Sequence, residues 1–373
     1  MFARGVYARR VEAFFAKVSH LGLGGAVLTT RASCAYFTGF EGAPAVLLAR
    51  GAEPVVVVPR LEYTRAKKET AYGEVVAYSE YEVEATPYES VRWKRRLWEL
   101  IGELIAERGL EGEEVGAELS GVRAGLLKEV VKALGSEPKD VSREVEEMRG
   151  IKCKEEVGVM ERAVKIAEEA MRRALDSLEK GVTELEVAAE IERVFRLRGA
   201  DRAFEPIVAF GEDSAYPHAK PGSRELREGD LVVIDLGARL AHYCSDITRT
   251  LVFGRPSSKQ ARMVRAVLEA QRAAIEAAKS GTKARDVDRA AREVLRREGL
   301  SACFNHGVGH GLGIEVHEFP ALNPASEDTL LTGMTVTIEP GVYVEGYGGV
   351  RIEDVVLVEE GGCRILSEFE RIL

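Results

Sequence analysis

Side-chain amides are almost missing from this chain: Asn305, Asn323, Gln260 and Gln271 are the only four among 373 residues. Charged residues make up 30% of it, and trading thermolabile amides for ion-pairing side chains suggests a heat-adapted source. Cysteine is also scarce. Cys34, Cys153, Cys244, Cys303 and Cys363 are scattered, with no CxxC pair, which excludes a disulfide framework and a thiolate zinc site and suits a reducing cytoplasm. Long apolar runs are absent too. Stretches such as Pro54 to Pro59 are far too short to span a bilayer, and the N-terminus leads into a charged amphipathic stretch without a signal-peptide core. There is no basic excess: the formal net charge of -9 argues against a nucleic-acid partner. Ordinary glycine and proline usage excludes a fibrous or disordered chain. What remains is 46% hydrophobic content in a chain long enough for two domains.

The first third alternates helical and strand patterns. Apolar residues at helical spacing mark helices near Val6 to His20, Glu89 to Ala106 and Leu126 to Leu134. β-type runs fall at Ala26 to Thr30, Ala45 to Leu48, Val55 to Val58 and Val115 to Leu119. This alternation predicts an α/β domain. The polar, turn-forming segment Gly135 to Asp140 is the best break in the chain, dividing it into domains 1–138 and 139–373. Beyond it, a charged helix is expected over Val145 to Glu179, with others at Glu184 to Arg198, Ala261 to Lys279 and Asp286 to Glu298. Strands are expected at Ile207 to Phe210, Leu231 to Asp235, Ile247 to Phe253, Thr335 to Ile338 and Val350 to Val358.

In and beside these strands, and in a glycine-rich run before the last two, stand acids or histidines where apolar residues would be ordinary. A two-residue turn near Leu240-Ala241 would set Asp235 and Asp246 directly opposite each other in a hairpin, with Cβ atoms roughly 4.5–5.5 Å apart. Like charges at about 4 Å cost on the order of 4 kcal/mol at an effective dielectric near 20, so a cation between them is expected. A single aspartate at a strand end is ordinarily a turn residue; two facing each other among Val232, Val233, Ile234 and Ile247 are not. The run from His306 to Gly313 carries four glycines in eight residues, too many for a helix. One of His306 and His310 is a candidate ligand, and spacing alone does not choose between them. Glu339 and Glu353 sit on alternating strands, where the bland reading is a cross-strand salt bridge. Four carboxylates and one imidazole would balance two divalent ions, Mn or Co first and Zn or Fe as alternatives, which lower the pKa of water towards 7.

The segments VVIDLGA, YCSDITRT, HGVGHGLG, TIEPG and GVRIEDVVLV, in this order, closely resemble the pita-bread metallopeptidases, which include methionine aminopeptidase, aminopeptidase P and prolidase. Ser33 to Phe40 resembles a segment of the extra N-terminal domain of the proline-specific branch. The resemblance covers essentially the whole chain. It implies an α/β (α+β) chain: a creatinase-like N-terminal α/β domain followed by a pita-bread catalytic domain. It also implies metal ligands Asp235, Asp246, His310, Glu339 and Glu353, with His306 in a supporting role. His218 and His317 become catalytic and substrate-binding candidates, His317 at the scissile carbonyl. Glu339 is implied as proton shuttle, Arg351 as a substrate- or ligand-orienting residue, and Tyr343 as a support behind the ligands. The expected activity is metal-dependent hydrolysis of the Xaa-Pro bond in dipeptides, by a cytoplasmic homodimer. One departure matters: compact prolidases often carry an arginine directly after the proline of the HExP segment, and here that position is Ala321. Xaa-Pro aminopeptidase activity on longer peptides is the alternative. The intact ligand set argues against a metal-free creatinase and against a non-catalytic peptide-binding module.

Overall fold

The computed structural model describes residues 2–84 and 91–371, and the chain divides into two compact units, Met1–Arg149 and Gly150–Leu373. In the first unit, β1 (Leu23–Leu28), β2 (Ala45–Ala49), β3 (Val55–Pro59), β4 (Glu74–Ser79), β5 (Val91–Trp93), β6 (Glu114–Ala117) and β7 (Lys139–Asp140) form one mixed sheet. Its order is β5-β4-β3-β2-β1-β6-β7. Helices α1 (Arg4–Lys17), α2 (Arg31–Thr38), α3 (Tyr63–Glu69), α4 (Leu97–Glu107), α5 (Leu127–Leu134) and α6 (Ser142–Gly150) complete it. Central strands such as β3, with four consecutive valines, are buried along their length, as β-branched residues favour. Leu100, Ile101 and Leu104 of α4 pack on Val27, Leu47 and Val57 of the sheet. The expected helix from Glu89 begins at Leu97 instead, because Val91–Trp93 pairs with β4; residues 89 and 90 lie outside the described residues. Buried Glu118 accepts hydrogen bonds from the backbone N–H groups of Thr29 and Thr30, both at 2.8 Å, tying the end of β1 to the start of α2. The break read at 138/139 falls inside this unit, since β7 pairs with β6 and Val145 of α6 is buried.

The second unit has the same layered plan twice over. In its first half, α7 (Lys154–Asp176) and α8 (Glu184–Leu197) pack on a sheet of β9 (Ile207–Phe210), β10 (Leu231–Leu236) and β13 (Ile247–Val252). A second small sheet holds β8 (Asp201–Arg202), β11 (Ala238–Leu240) and β12 (Tyr243–Cys244). In the other half, α9 (Ser258–Ala277) and α10 (Ala284–Arg297) pack on β14 (Gly309–Gly311), β15 (Glu318–Leu322), β16 (Thr335–Ile338), β19 (Asp354–Val358) and β20 (Cys363–Ile365). β17 (Gly341–Val344) and β18 (Gly348–Arg351) form a separate pair.

Two expected elements are each broken in two. The helix over Val145 to Glu179 is interrupted between α6 and α7, where Lys152 N–H donates to the Gly333 carbonyl at 2.8 Å. Extended Cys153 then restarts the helix, its N–H capped by Glu156 at 2.9 Å. The strand over Val350 to Val358 is two strands in different sheets, β18 and β19. Between them Glu353 N–H turns to the Thr248 carbonyl of β13, at 3.1 Å. Periodicity continues through both breaks, so the sequence pattern does not reveal them.

Candidate metal centre and active site

The hairpin that presents the two aspartates turns at Ala241-His242, whose φ angles are 46° and 77°. Positive φ at both central positions is the geometry of the tight turn that matches strand twist. The expected turn was one residue earlier, and this shift moves the register by two. Asp235 therefore faces Thr248, with Asp246 two positions before Thr248 and on the same face. The direct opposition of the two aspartates is thus corrected to a diagonal one, and both still reach the same cavity.

Asp246, His310 and Glu353 each offer a ligand atom, all within 4.8 Å of one another. His310, on β14, lies with Nε2 3.3 Å from Glu339 Oε1 and 3.9 Å from Asp246 Oδ2. Its Nδ1 is 3.0 Å from the Gly311 carbonyl. A proton on Nδ1 donated there leaves Nε2 facing the acids, the tautomer a ligand needs. Thr248 donates its hydroxyl to Glu353 Oε2 at 2.6 Å, and Thr337 donates to Glu339 Oε1 at 3.4 Å. Asp235 Oδ2 accepts from Arg351 Nη2 at 2.5 Å.

Crowding of acids is legible in their proton affinities. Burial, then Glu353 and Asp235 beside it, pushes the Asp246 carboxyl well above its usual range. Glu353 is likewise raised, by burial and then by Glu339 and Asp235. Burial also raises Asp235, with Arg351 opposing. Glu339 goes the other way: burial is outweighed by His310, His306 and Arg351, which hold it at about 2. Asp235 Oδ1 and Asp246 Oδ1 are both buried without a hydrogen-bond partner. Orphaned anionic oxygens in a dry site are costly unless a cation compensates them. Hard oxygen donors joined by one imidazole nitrogen fit divalent cations of the Mn, Co, Fe or Zn kind.

His306 stands apart from this donor set. Its Nε2 lies 3.0 Å from the Tyr343 hydroxyl, which in turn accepts from Arg351 Nη1 at 2.8 Å. Burial holds the His306 pKa down, and with Nδ1 2.8 Å from the Gly307 carbonyl its Nε2 is left to accept from the Tyr343 hydroxyl. Arg351 also donates to the Pro217 carbonyl at 3.1 Å and the Thr248 hydroxyl at 3.2 Å. Behind Glu353, fully buried Arg249 donates to the Glu353 carbonyl at 2.6 Å and to Asp354 Oδ1 at 2.8 Å. Gln271 donates to the other Asp354 oxygen at 2.9 Å.

These groups open onto a cavity of about 500 Å³, whose lining includes all five acid and histidine candidates together with His218, His317 and Arg351. His317 stacks edge-on against His310 with ring centroids 4.2 Å apart. Burial and the neighbouring His310 depress its pKa. Ala321 is exposed and pairs with His310 in the β14–β15 ladder. Sequence reasoning passed over Thr248 and Thr337, which bond the acids. Each lies two positions from an acid on the same strand face, a period-2 signal that was available. Phe204, Glu205, Lys220 and Asn323, which also line the cavity, lie on loops without such a signal.

A metal-ready donor set on a doubled layer of helices and antiparallel strands defines a metallohydrolase of the pita-bread kind. The chain belongs to metallopeptidase family M24, which residues 158–360 match, and residues 10–151 match the Creatinase/Prolidase N-terminal domain. It is 39% identical over 328 residues to the Xaa-Pro dipeptidase of Pyrococcus furiosus, covering 88% of each chain. Among solved structures, it is similar to the prolidase from Pyrococcus horikoshii OT3, with a TM-score of 0.84, 34% identity and coverage of 97% and 99% of the two chains. It is also similar to the X-Pro aminopeptidase from Thermotoga maritima MSB8, with a TM-score of 0.86, 32% identity and coverage of 98% and 99%.

Proposed function

We propose that this chain is an Xaa-Pro dipeptidase that hydrolyses the amide bond before proline in dipeptides, using two divalent cations held by Asp235, Asp246, His310, Glu339 and Glu353. The observation that carries this reading is the pair of buried, unpartnered aspartate oxygens within one crowded set of acids. When bound, the cations supply Lewis acidity and make water nucleophilic near neutral pH.

The protein's own groups then direct the reaction. A water oxygen forms the new bond to the scissile carbon while the bond to the prolyl nitrogen breaks. Glu339, kept ionised, accepts the proton that the water loses and returns it to the leaving nitrogen. His317, neutral and at the cavity, donates N–H to the carbonyl oxygen as it gains charge. His218, exposed at the rim, orients the peptide. Arg351 fixes Asp235 and, through Pro217, the strand of chain that carries His218. A cytoplasmic homodimer loaded with Mn or Co is part of the same reading.

Ala-Pro is the substrate that tests it. Hydrolysis of Ala-Pro that stops on chelation and returns with Mn or Co is expected, whereas full activity in a metal-stripped preparation would end the two-metal reading. Because Ala321 removes the expected arginine, Ala-Pro-Ala belongs in the same assay. Comparable turnover of that tripeptide would replace the dipeptidase assignment with an Xaa-Pro aminopeptidase.

A further inference from the structure

A dipeptide substrate brings a problem of charge. Its free carboxylate sits on the proline, one carbon from the nitrogen that leaves, so it enters a cavity where bound cations would offset Asp235, Asp246, Glu339 and Glu353 but leave the charge of Glu205 standing. A cation near the reacting end would offset this repulsion and mark the end of the chain. Among the described residues lining the cavity, Arg351 and Lys220 carry fixed positive charge. Arg351 is buried and spent on Asp235, Tyr343, Thr248 and Pro217. Lys220 is exposed and makes no ion pair among the described residues.

We propose that Lys220 receives the C-terminal carboxylate of the dipeptide and so sets the enzyme's preference for substrate length. This rests on the Xaa-Pro reading of the site. The chain around Lys220 is held where such a contact needs it: Pro217 is anchored to Arg351, and Ala219 N–H closes a turn onto the Tyr216 carbonyl at 3.1 Å. Two residues beyond His218, the lysine stands at the rim with a flexible four-carbon stem to reach inward. Ala321, exposed on β15, offers no charge in place of the arginine expected there. A longer peptide would carry its terminal carboxylate past this point and lose the contact.

The test compares Ala-Pro with Ala-Pro-amide, which lacks the carboxylate, in Mn-loaded wild type, Lys220→Met, Lys220→Arg and Lys220→Glu. The readout is the ratio of kcat/KM for the acid to that for the amide. Lys220→Met should lower this ratio about fivefold, the scale of one partly exposed charge pair, with the change in KM. Lys220→Glu should lower it further, and Lys220→Arg should restore it. A ratio that stays within about twofold of wild type in both the Met and Glu variants overturns the role of Lys220 and leaves the Xaa-Pro reading intact. A wild-type protein that cleaves neither substrate overturns both.

Discussion

At Asp246, one carboxylate oxygen faces the His310 ring at 3.9 Å while the other is buried with no hydrogen-bond partner. Removing the charge while keeping the shape should therefore relieve the fold and end the chemistry. Asp246→Asn and His310→Ala are each expected to abolish Ala-Pro hydrolysis, while circular dichroism stays that of the wild type. The acids themselves were readable from the sequence because each stands in or beside an apolar run, Asp235 within β10 and the other three at strand ends. Their partners were less so: Thr248 and Thr337 look like ordinary strand residues, and their value lies in hydroxyls aimed at Glu353 and Glu339. His306 and His310 were equivalent by spacing. What separates them is where their Nε2 atoms point, one at Tyr343 and the other at the acids.

Elements convert that residue pattern into geometry. The hairpin at Ala241-His242 lacks the Asn-Gly or Gly signal that would have fixed its turn, so its face was legible and its register was not. The same holds for β18 and β19, where alternation runs unbroken across a change of sheet. The glycines of the His306–Gly313 run earn their place by close approach. A methyl group on Gly309 would collide with the Thr337 carbonyl, and one on Gly311 with that of Phe319. Gly309→Ala is expected to cost about 1–3 kcal/mol in denaturant unfolding and to lower kcat more than the stability loss explains, because His310 moves with the strand. In the first unit, Lys17 of α1 donates to Glu147 of α6 at 2.8 Å and, with Arg143, holds that carboxyl below its ordinary 4.5. A depressed carboxyl stabilises the fold above its unfolded pKa, and that stability is lost as pH falls through the folded value. Wild type should thus be more stable than Lys17→Met above about pH 5, with the two melting curves converging on further acidification.

On the scale of the whole molecule, two units were visible in the change from α/β alternation to a strand-rich half, and their meeting point was not. The turn-rich Gly135 to Asp140 segment reads as a linker, yet the units part at Arg149 and Gly150, because short β7 completes the first sheet and local polarity says nothing of that pairing. On the proposed assignment, the acids of the second unit would tie its stability to cations. Mn at about one hundred times its Kd should add about 2.7 kcal/mol to unfolding, read as a rise in Tm that chelator reverses and Asp246→Asn lacks. The four side-chain amides carry a different consequence, one of chemical ageing. Gln271 is sealed against Asp354, Gln260 closes the start of α9, and Asn323 accepts from the Ala325 N–H at 2.9 Å. Asn305 alone is exposed, one residue before His306. Under prolonged heat, deamidation would begin there, so the first scar of age would form at the threshold of the active site.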